Sequence, residues 1–259
     1  MIIMKVELDK FYTNDNVVDW CLSKIDTSLY DLIIEPSAGN GAFSKKLNCI
    51  AYDIDPEPSS ADITKQDFLK IEKPLCDRLL IIGNPPFGER CSLAKSFIRK
   101  SIEIEAKTIA FILPNTFNKF SLQRVFPHNW KLLGVYPLKR DSFNIKGNLY
   151  HVPCSFFIWS CYLNGEDLRE KEVKDFKDFE FLHRGDTTAD FTINGNSGKV
   201  KEIKDVSNPK AEHYIRGSSD IKKILSSINW EFNSSVNGGI SWLGKQEIIK
   251  QYLKYINKQ

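Results

Sequence analysis

With 259 residues, 42% of them hydrophobic, and a formal charge of +3, the chain can bury the core of one large α/β domain, alone or with a small appendage. Charge alone does not announce a polyanion partner. No run approaches the roughly 18 apolar residues of a membrane-spanning helix, and the start, Met-Ile-Ile-Met-Lys-Val-Glu, has no signal-peptide pattern; a soluble, intracellular, cytoplasmic protein without a membrane partner is expected.

In chain order, residues 15–29 place Val17, Val18, Cys21, Leu22 and Ile25 on one helical face, with Asn14 or Asp15 as cap. Residues 31–35 read as a buried strand that breaks at Pro36 and Gly39, and 42–48 as a short helix. Residues 49–54 form the next strand and 78–83 a third, stopped by Asn-Pro-Pro. A helix over 91–105 leads to the strand 108–113, followed by strands at 130–136 and 153–163. This alternation predicts an α/β fold with a doubly wound, mostly parallel sheet over 1–164. Residues 165–259 change character: a charged stretch, then turn-rich segments, then helices at 219–229 and 244–257. They predict a small C-terminal α+β extension, available for substrate recognition. Its lysines and arginines read as a solvated surface.

Four segments carry chemistry. Glu35-Pro36-Ser37-Ala38-Gly39-Asn40-Gly41 puts an acid at a strand end and G-x-G in the following loop, where a ligand can approach the backbone. The acid, and the lack of a third glycine, suit a ligand with an ammonium group better than a pyrophosphate. Asp53, at the tip of the next strand, is placed to accept two ribose hydroxyls; Asp55 is its neighbour, and alternation turns Ile54 away from both. Asp67-Phe68 offers an acid for an adenine amino group and a ring to pack on its edge.

The segment Asn84-Pro85-Pro86-Phe87 follows Arg-Leu-Leu-Ile-Ile-Gly directly. Two prolines donate no hydrogen bonds and cannot extend a sheet, which leaves carbonyls beside them to accept. An exocyclic amine is a poor nucleophile because its lone pair is delocalised. Accepting its two hydrogens on the Asn84 side-chain oxygen and the Pro85 carbonyl draws the nitrogen toward tetrahedral geometry. Phe87 offers a face for a flipped planar base.

Together these residues resemble the class I (Rossmann-like) amino methyltransferases, over roughly residues 8–163. The order, cofactor loop before catalytic tetrapeptide, is similar to the gamma arrangement of adenine-N6 DNA and RNA methyltransferases. The resemblance implies S-adenosylmethionine as cofactor. Phe11-Tyr12-Thr13, with Asn14 in place of a proline, would contact its methionine part, as would Glu35 and the loop Pro36, Ser37, Ala38, Gly39 and Gly41. Asp53 and Ile54 would hold ribose and adenine, and Asp67 and Phe68 the adenine. Leu113–Phe117 and the strand Phe156–Trp159 look like later elements of such enzymes, and Phe143 is a candidate clamp for the target base. The short C-terminal part departs from the large recognition domain of typical relatives.

Three functions remain open at this point. The first is methylation of adenine N6 in nucleic acid, DNA ahead of RNA, which a basic strip (Lys119, Arg124, Lys131, Lys139, Arg140, Lys146) would serve as a phosphate track. The second is methylation of a protein glutamine amide, although that branch generally has tyrosine at the position of Phe87. The third is a silent cofactor-binding subunit. The six cysteines (Cys21, Cys49, Cys76, Cys91, Cys154, Cys161) form no C-x-x-C pair and the four histidines share no ligand spacing, so no metal is expected.

Overall fold

A computed structural model describes residues 12–57, 62–145, 148–150, 152–232 and 242–258. Phe11, Lys146 and His151 lie outside the described residues. The chain divides into two compact units, Met1–Glu170 and Lys171–Gln259.

The first unit contains β1 (Tyr12–Thr13), α1 (Asp15–Leu22), β2 (Leu32–Glu35), β3 (Ile50–Asp53), β4 (Ile63–Lys65), β5 (Leu79–Gly83), α2 (Ser92–Glu103) and β6 (Thr108–Pro114). It continues through α3 (Phe120–Gln123), β7 (Lys131–Pro137), β8 (Phe143–Ile145), β9 (Asn148–Tyr150) and β10 (Cys154–Ser160). Seven strands form one sheet in the order β4-β3-β2-β5-β6-β10-β7. β4, β3, β2, β5 and β6 are parallel, and β10 runs antiparallel to both β6 and β7. A small sheet β1-β8-β9 stands apart from it. The architecture is the doubly wound α/β fold.

Why these strands are apolar throughout follows from their position. A strand covered on both faces needs apolar residues at every position, and all five residues of β5 are buried. In β6, Ile109, Phe111 and Leu113 join the core layer of Ala94, Phe97 and Ile98 from α2. Ala110 and Ile112, on the other face, join Val18 and Cys21 from α1. Each such valine, leucine, isoleucine or phenylalanine side chain contributes about 1.5–3 kcal/mol on burial.

Some elements are shorter than the periodicity suggests. The first helix ends at Leu22, and a single 3-10 turn at Thr27–Leu29 replaces its remainder. Asn14 occupies the N-cap position without capping; its side chain donates instead to the Asp141 carbonyl at 2.7 Å. The expected helix over 42–48 is only a 3-10 turn, Ser44–Lys46, and the Ser44 N–H at its start donates to the Glu35 carboxylate at 2.8 Å. The strand over 49–54 stops at Asp53.

The second unit is α+β. β11 (Glu180–Phe181), β12 (Phe191–Asn194), β13 (Val200–Lys201) and β14 (Glu212–Arg216) form an antiparallel sheet, order β11-β14-β12-β13, with α4 (Ser219–Ser227) and α5 (Lys245–Ile256). Phe191, Ile193 and Ile215 share a core with Leu225 of α4 and with Ile248 and Tyr252 of α5. Lys201 is not a free surface cation: it bonds the fully buried Glu212 carboxylate at 2.7 Å, which also accepts from the Asn194 amide at 2.8 Å. Among the described residues no helix is long and apolar enough to cross a membrane.

Candidate active site

The strand order reverses between β2 and β5: β3 and β4 lie on one side, β6 on the other. In an open α/β sheet the crevice beyond the carboxyl ends at that switch is where ligands bind. The loop after Glu35 leaves β2 here, and Asn84 leaves β5 here. Two segments separated in sequence thus meet for a topological reason.

A cavity of about 310 Å³ fills the crevice, within the range of small-molecule sites. Tyr12, Thr13, Glu35, Pro36, Ser37, Ala38, Gly39, Asp53, Ile54, Asp67, Phe68, Asn84 and Pro86 line it. Gly41, Pro85 and Phe87 were expected there but are not among the lining residues. Gly41 donates its N–H to the Ala38 carbonyl at 2.7 Å and so closes the loop on itself. Pro85 is buried and Phe87 half-buried, the latter packed on the core layer that includes Val18 and Phe143.

On one wall, Glu35 is 2% exposed and accepts the Ser44 N–H at 2.8 Å. Burial pushes its carboxyl up from 4.5 to about 7, against the opposing hydrogen bonds from Ser44 and Phe43. A cation seated beside it would offset that burial cost. Asp53 accepts the Gly39 N–H at 2.7 Å on one oxygen and the Asp55 N–H at 2.8 Å on the other. A carboxylate has about four acceptor positions, so capacity for a diol remains. Gly39 has φ +56°, and a β-carbon there would meet the Tyr12 ring at 3.2 Å; only glycine holds this turn without strain. The Tyr12 hydroxyl donates to Glu57, and burial followed by that carboxylate raises the phenol's pKa.

Ile54 lines the cavity while Asp55 does not, contrary to the alternation expected along the strand. Alternation ends with the strand at Asp53, and Ile54 follows it, 60% exposed. An apolar side chain left open at a cavity is suited to a planar ring. Asp67 accepts the Leu69 N–H at 3.0 Å, capping the turn Phe68–Lys70. Phe68 is 1% exposed and stacks on Phe97 at 5.4 Å, which makes it as much core as cavity wall. Phe143, the candidate clamp, is buried in the core, because β8 pairs with β1 through Thr13↔Phe143.

On the other wall, the Asn84 amide donates to Thr13 Oγ1 at 3.3 Å, and the Asn84 carbonyl accepts from Ser37 Oγ at 3.2 Å. The bond to Thr13 orients the amide with its nitrogen toward β1. Sequence reasoning did not single out Gln66, Leu69, Leu93 and Phe97 as cavity residues. The spacing of Leu93 and Phe97, one helical turn apart on α2, is the signal that was available.

The basic strip does not stay together. Lys119, Lys139 and Arg140 follow the carboxyl ends of β6 and β7, at the edge that carries Asn84. Lys131 opens β7 at the opposite edge and donates to the Gly165 carbonyl at 3.2 Å. Among the described residues no cluster of three or more His, Cys, Asp or Glu forms a metal site.

A buried acid for an ammonium group, a strand-end carboxylate for a diol and an open apolar side chain for a ring together fit S-adenosylmethionine. A family model for an EDM2 methyltransferase-like domain matches residues 11–149. Over 107 residues, 39% of this chain, the sequence is 33% identical to Protein ENHANCED DOWNY MILDEW 2 of Arabidopsis thaliana; the match spans 8% of that protein's length. A candidate RNA methyltransferase from Pyrococcus horikoshii is similar in structure at 19% identity and a TM-score of 0.45, covering 60% of this chain and 88% of that one. A modification subunit of a candidate type I restriction enzyme from Vibrio vulnificus is similar at 14% identity, also with a TM-score of 0.45, covering 60% and 45%.

Proposed function

The chain belongs to the EDM2 methyltransferase-like domain family, its cofactor is S-adenosylmethionine, and we propose that it methylates the exocyclic N6 amino group of adenine in nucleic acid, with DNA the first substrate to test. The observation that carries this reading is Asn84, placed on the cofactor cavity with its amide nitrogen bonded to Thr13. When bound, S-adenosylmethionine supplies an electrophilic methyl group.

Glu35 and the 36–41 loop would receive the methionine part, Asp53 the ribose, and Ile54 with Asp67 and Phe68 the adenine. Asn84 Oδ1 and the Pro85 carbonyl would accept the two hydrogens of the target amine. That pulls electron density back onto the nitrogen and orients it, and no strong base is needed because the proton leaves after transfer. The hydrogen bond from Asn84 to Thr13 keeps the amide from turning its nitrogen toward the amine. Pro86 shapes the cavity wall, and Phe87 would offer its ring to the flipped base.

The test is incubation with radiolabelled S-adenosylmethionine and separate pools of DNA, RNA and protein, followed by digestion to nucleosides. Label is expected in N6-methylated adenine. Label confined to protein, or carried on another base, overturns the reading.

A further inference from the structure

A second cavity, of about 240 Å³, takes no part in the chemistry above. One wall is α1, through Asn16, Val17 and Trp20; the other is the loop 137–142 between β7 and β8. The loop is firmly held. The Asn14 N–H donates to the Ser142 carbonyl at 3.1 Å, the Asn14 amide to the Asp141 carbonyl at 2.7 Å, and Ser142 Oγ to the Lys139 carbonyl at 2.7 Å. Asp141 adopts φ +67° within it, a conformation that costs a non-glycine residue free energy, and the loop it shapes presents Lys139 and Arg140, both exposed.

The indole is also positioned. Trp20 is half-buried, edge-on to the Tyr136 ring at 6.1 Å, and Lys24 Nζ lies 5.1 Å from its ring centre. The acids in the neighbourhood are Asp141 on the loop and Asp15 and Asp19 on α1; Asp19 is paired with Lys46 at 2.6 Å. The cavity therefore combines an aromatic side chain with Lys139 and Arg140, and Lys24 lies over the indole.

Its location ties it to the reaction. Thr13 lines the first cavity and holds Asn84, and Asn16 lines the second. The residues that line the two cavities are thus three apart in the chain, and the loop 137–142 follows the carboxyl end of β7, at the same sheet edge as Asn84.

We infer that this cavity receives a nucleotide flanking the methylated adenine, its base against Trp20 and its phosphates on Lys139 and Arg140. The inference rests on the adenine reading. An aromatic platform beside cations is the chemistry of single-strand binding, and neither group reads sequence, so the contact serves DNA and RNA alike.

The test measures binding of a fluorescent, adenine-containing single strand to the full chain across a salt series, with cofactor affinity measured in parallel. The double variant Lys139→Ala/Arg140→Ala is expected to weaken strand binding about ten-fold. It should also flatten the plot of log affinity against log salt by about 1.4, for two phosphates at about 0.7 each. Trp20→Ala is expected to weaken binding roughly ten-fold with the salt slope unchanged, and Trp20→Phe to restore most of it. Cofactor affinity should hold in all three, which separates lost contacts from lost folding. Strand affinity and salt slope unchanged in the double variant overturn the inference, as does an acidic peptide that displaces the strand at equal concentration. Failure of the adenine reading looks different: the wild-type chain then puts no label into any nucleic acid.

Discussion

One wall of the main cavity is local in sequence: Glu35, Gly39 and Asp53 lie on adjacent parallel strands and the loop between them, bonded to one another's neighbourhood through Gly39–Asp53 and Glu35–Ser44. The facing wall depends on distance, because Asn84 is bonded to Thr13 across 71 positions and to Ser37 across 47. The local wall carries the charges and the left-handed glycine; the distant one carries the neutral amide. On the proposed reading cofactor binding and methyl transfer are then separable by mutation, and four changes test this.

The largest effect is expected from Asn84→Ala: kcat falls about 10²–10³-fold, the range for removing one preorganised polar group at a reacting centre, while calorimetry finds cofactor affinity unchanged. Cofactor affinity falling in step with kcat would break the comparison. Next is Glu35→Gln, expected to raise the cofactor Kd about 10–100-fold through loss of a charge-assisted contact, with no loss of kcat at saturating cofactor.

The same acid predicts a pH dependence. Its folded-state pKa is raised, from 4.5 to about 7. Stability from Glu35 is therefore fully present below about 4.5 and lost as pH rises through 7, on the order of 3 kcal/mol at ~1.4 kcal/mol per unit. Cofactor affinity runs the other way, increasing through pH 7 as the carboxylate ionises. A flat affinity profile in the wild-type chain would show that Glu35 does not meet the ammonium group.

Gly39→Ala should cost about 1–2 kcal/mol of stability, seen as a lower Tm, because φ +56° is unfavourable for any residue with a β-carbon. The smallest effect is Thr13→Val. Loss of one hydrogen bond, about 0.5–1.5 kcal/mol, predicts a kcat reduced roughly two- to ten-fold, rescued by Thr13→Ser. If the variant instead changes only cofactor Kd, Thr13 serves the methionine part of the cofactor and not Asn84.

Much of this was legible in the residues. The runs over 31–35, 78–83 and 108–113 are strands because a position covered on both faces tolerates only apolar side chains, and Pro114 and Asn84-Pro85-Pro86 end theirs by chain chemistry alone. The acid-then-glycine loop was readable for the same reason, since Gly39 acts through its own backbone. Less legible were the ends of elements. Residues 42–48 have helical composition, yet form only the turn Ser44–Lys46. Ile54 reaches the cavity because the strand stops one residue before it. Phe143 could be placed between strands, but its burial depends on the pairing of β8 with β1.

The residues alone therefore determined the α/β rhythm, the acid-glycine loop, the strand-end Asp53 and the Asn84–Phe87 tetrapeptide, because proline, glycine and apolar periodicity act through the chain nearest to them. Only the tertiary structure decided that the order of strands reverses between β2 and β5, that Thr13 meets Asn84, and that Trp20 shares a cavity with Lys139 and Arg140. Those pairings are set by strand order and register between distant segments, which no local pattern encodes.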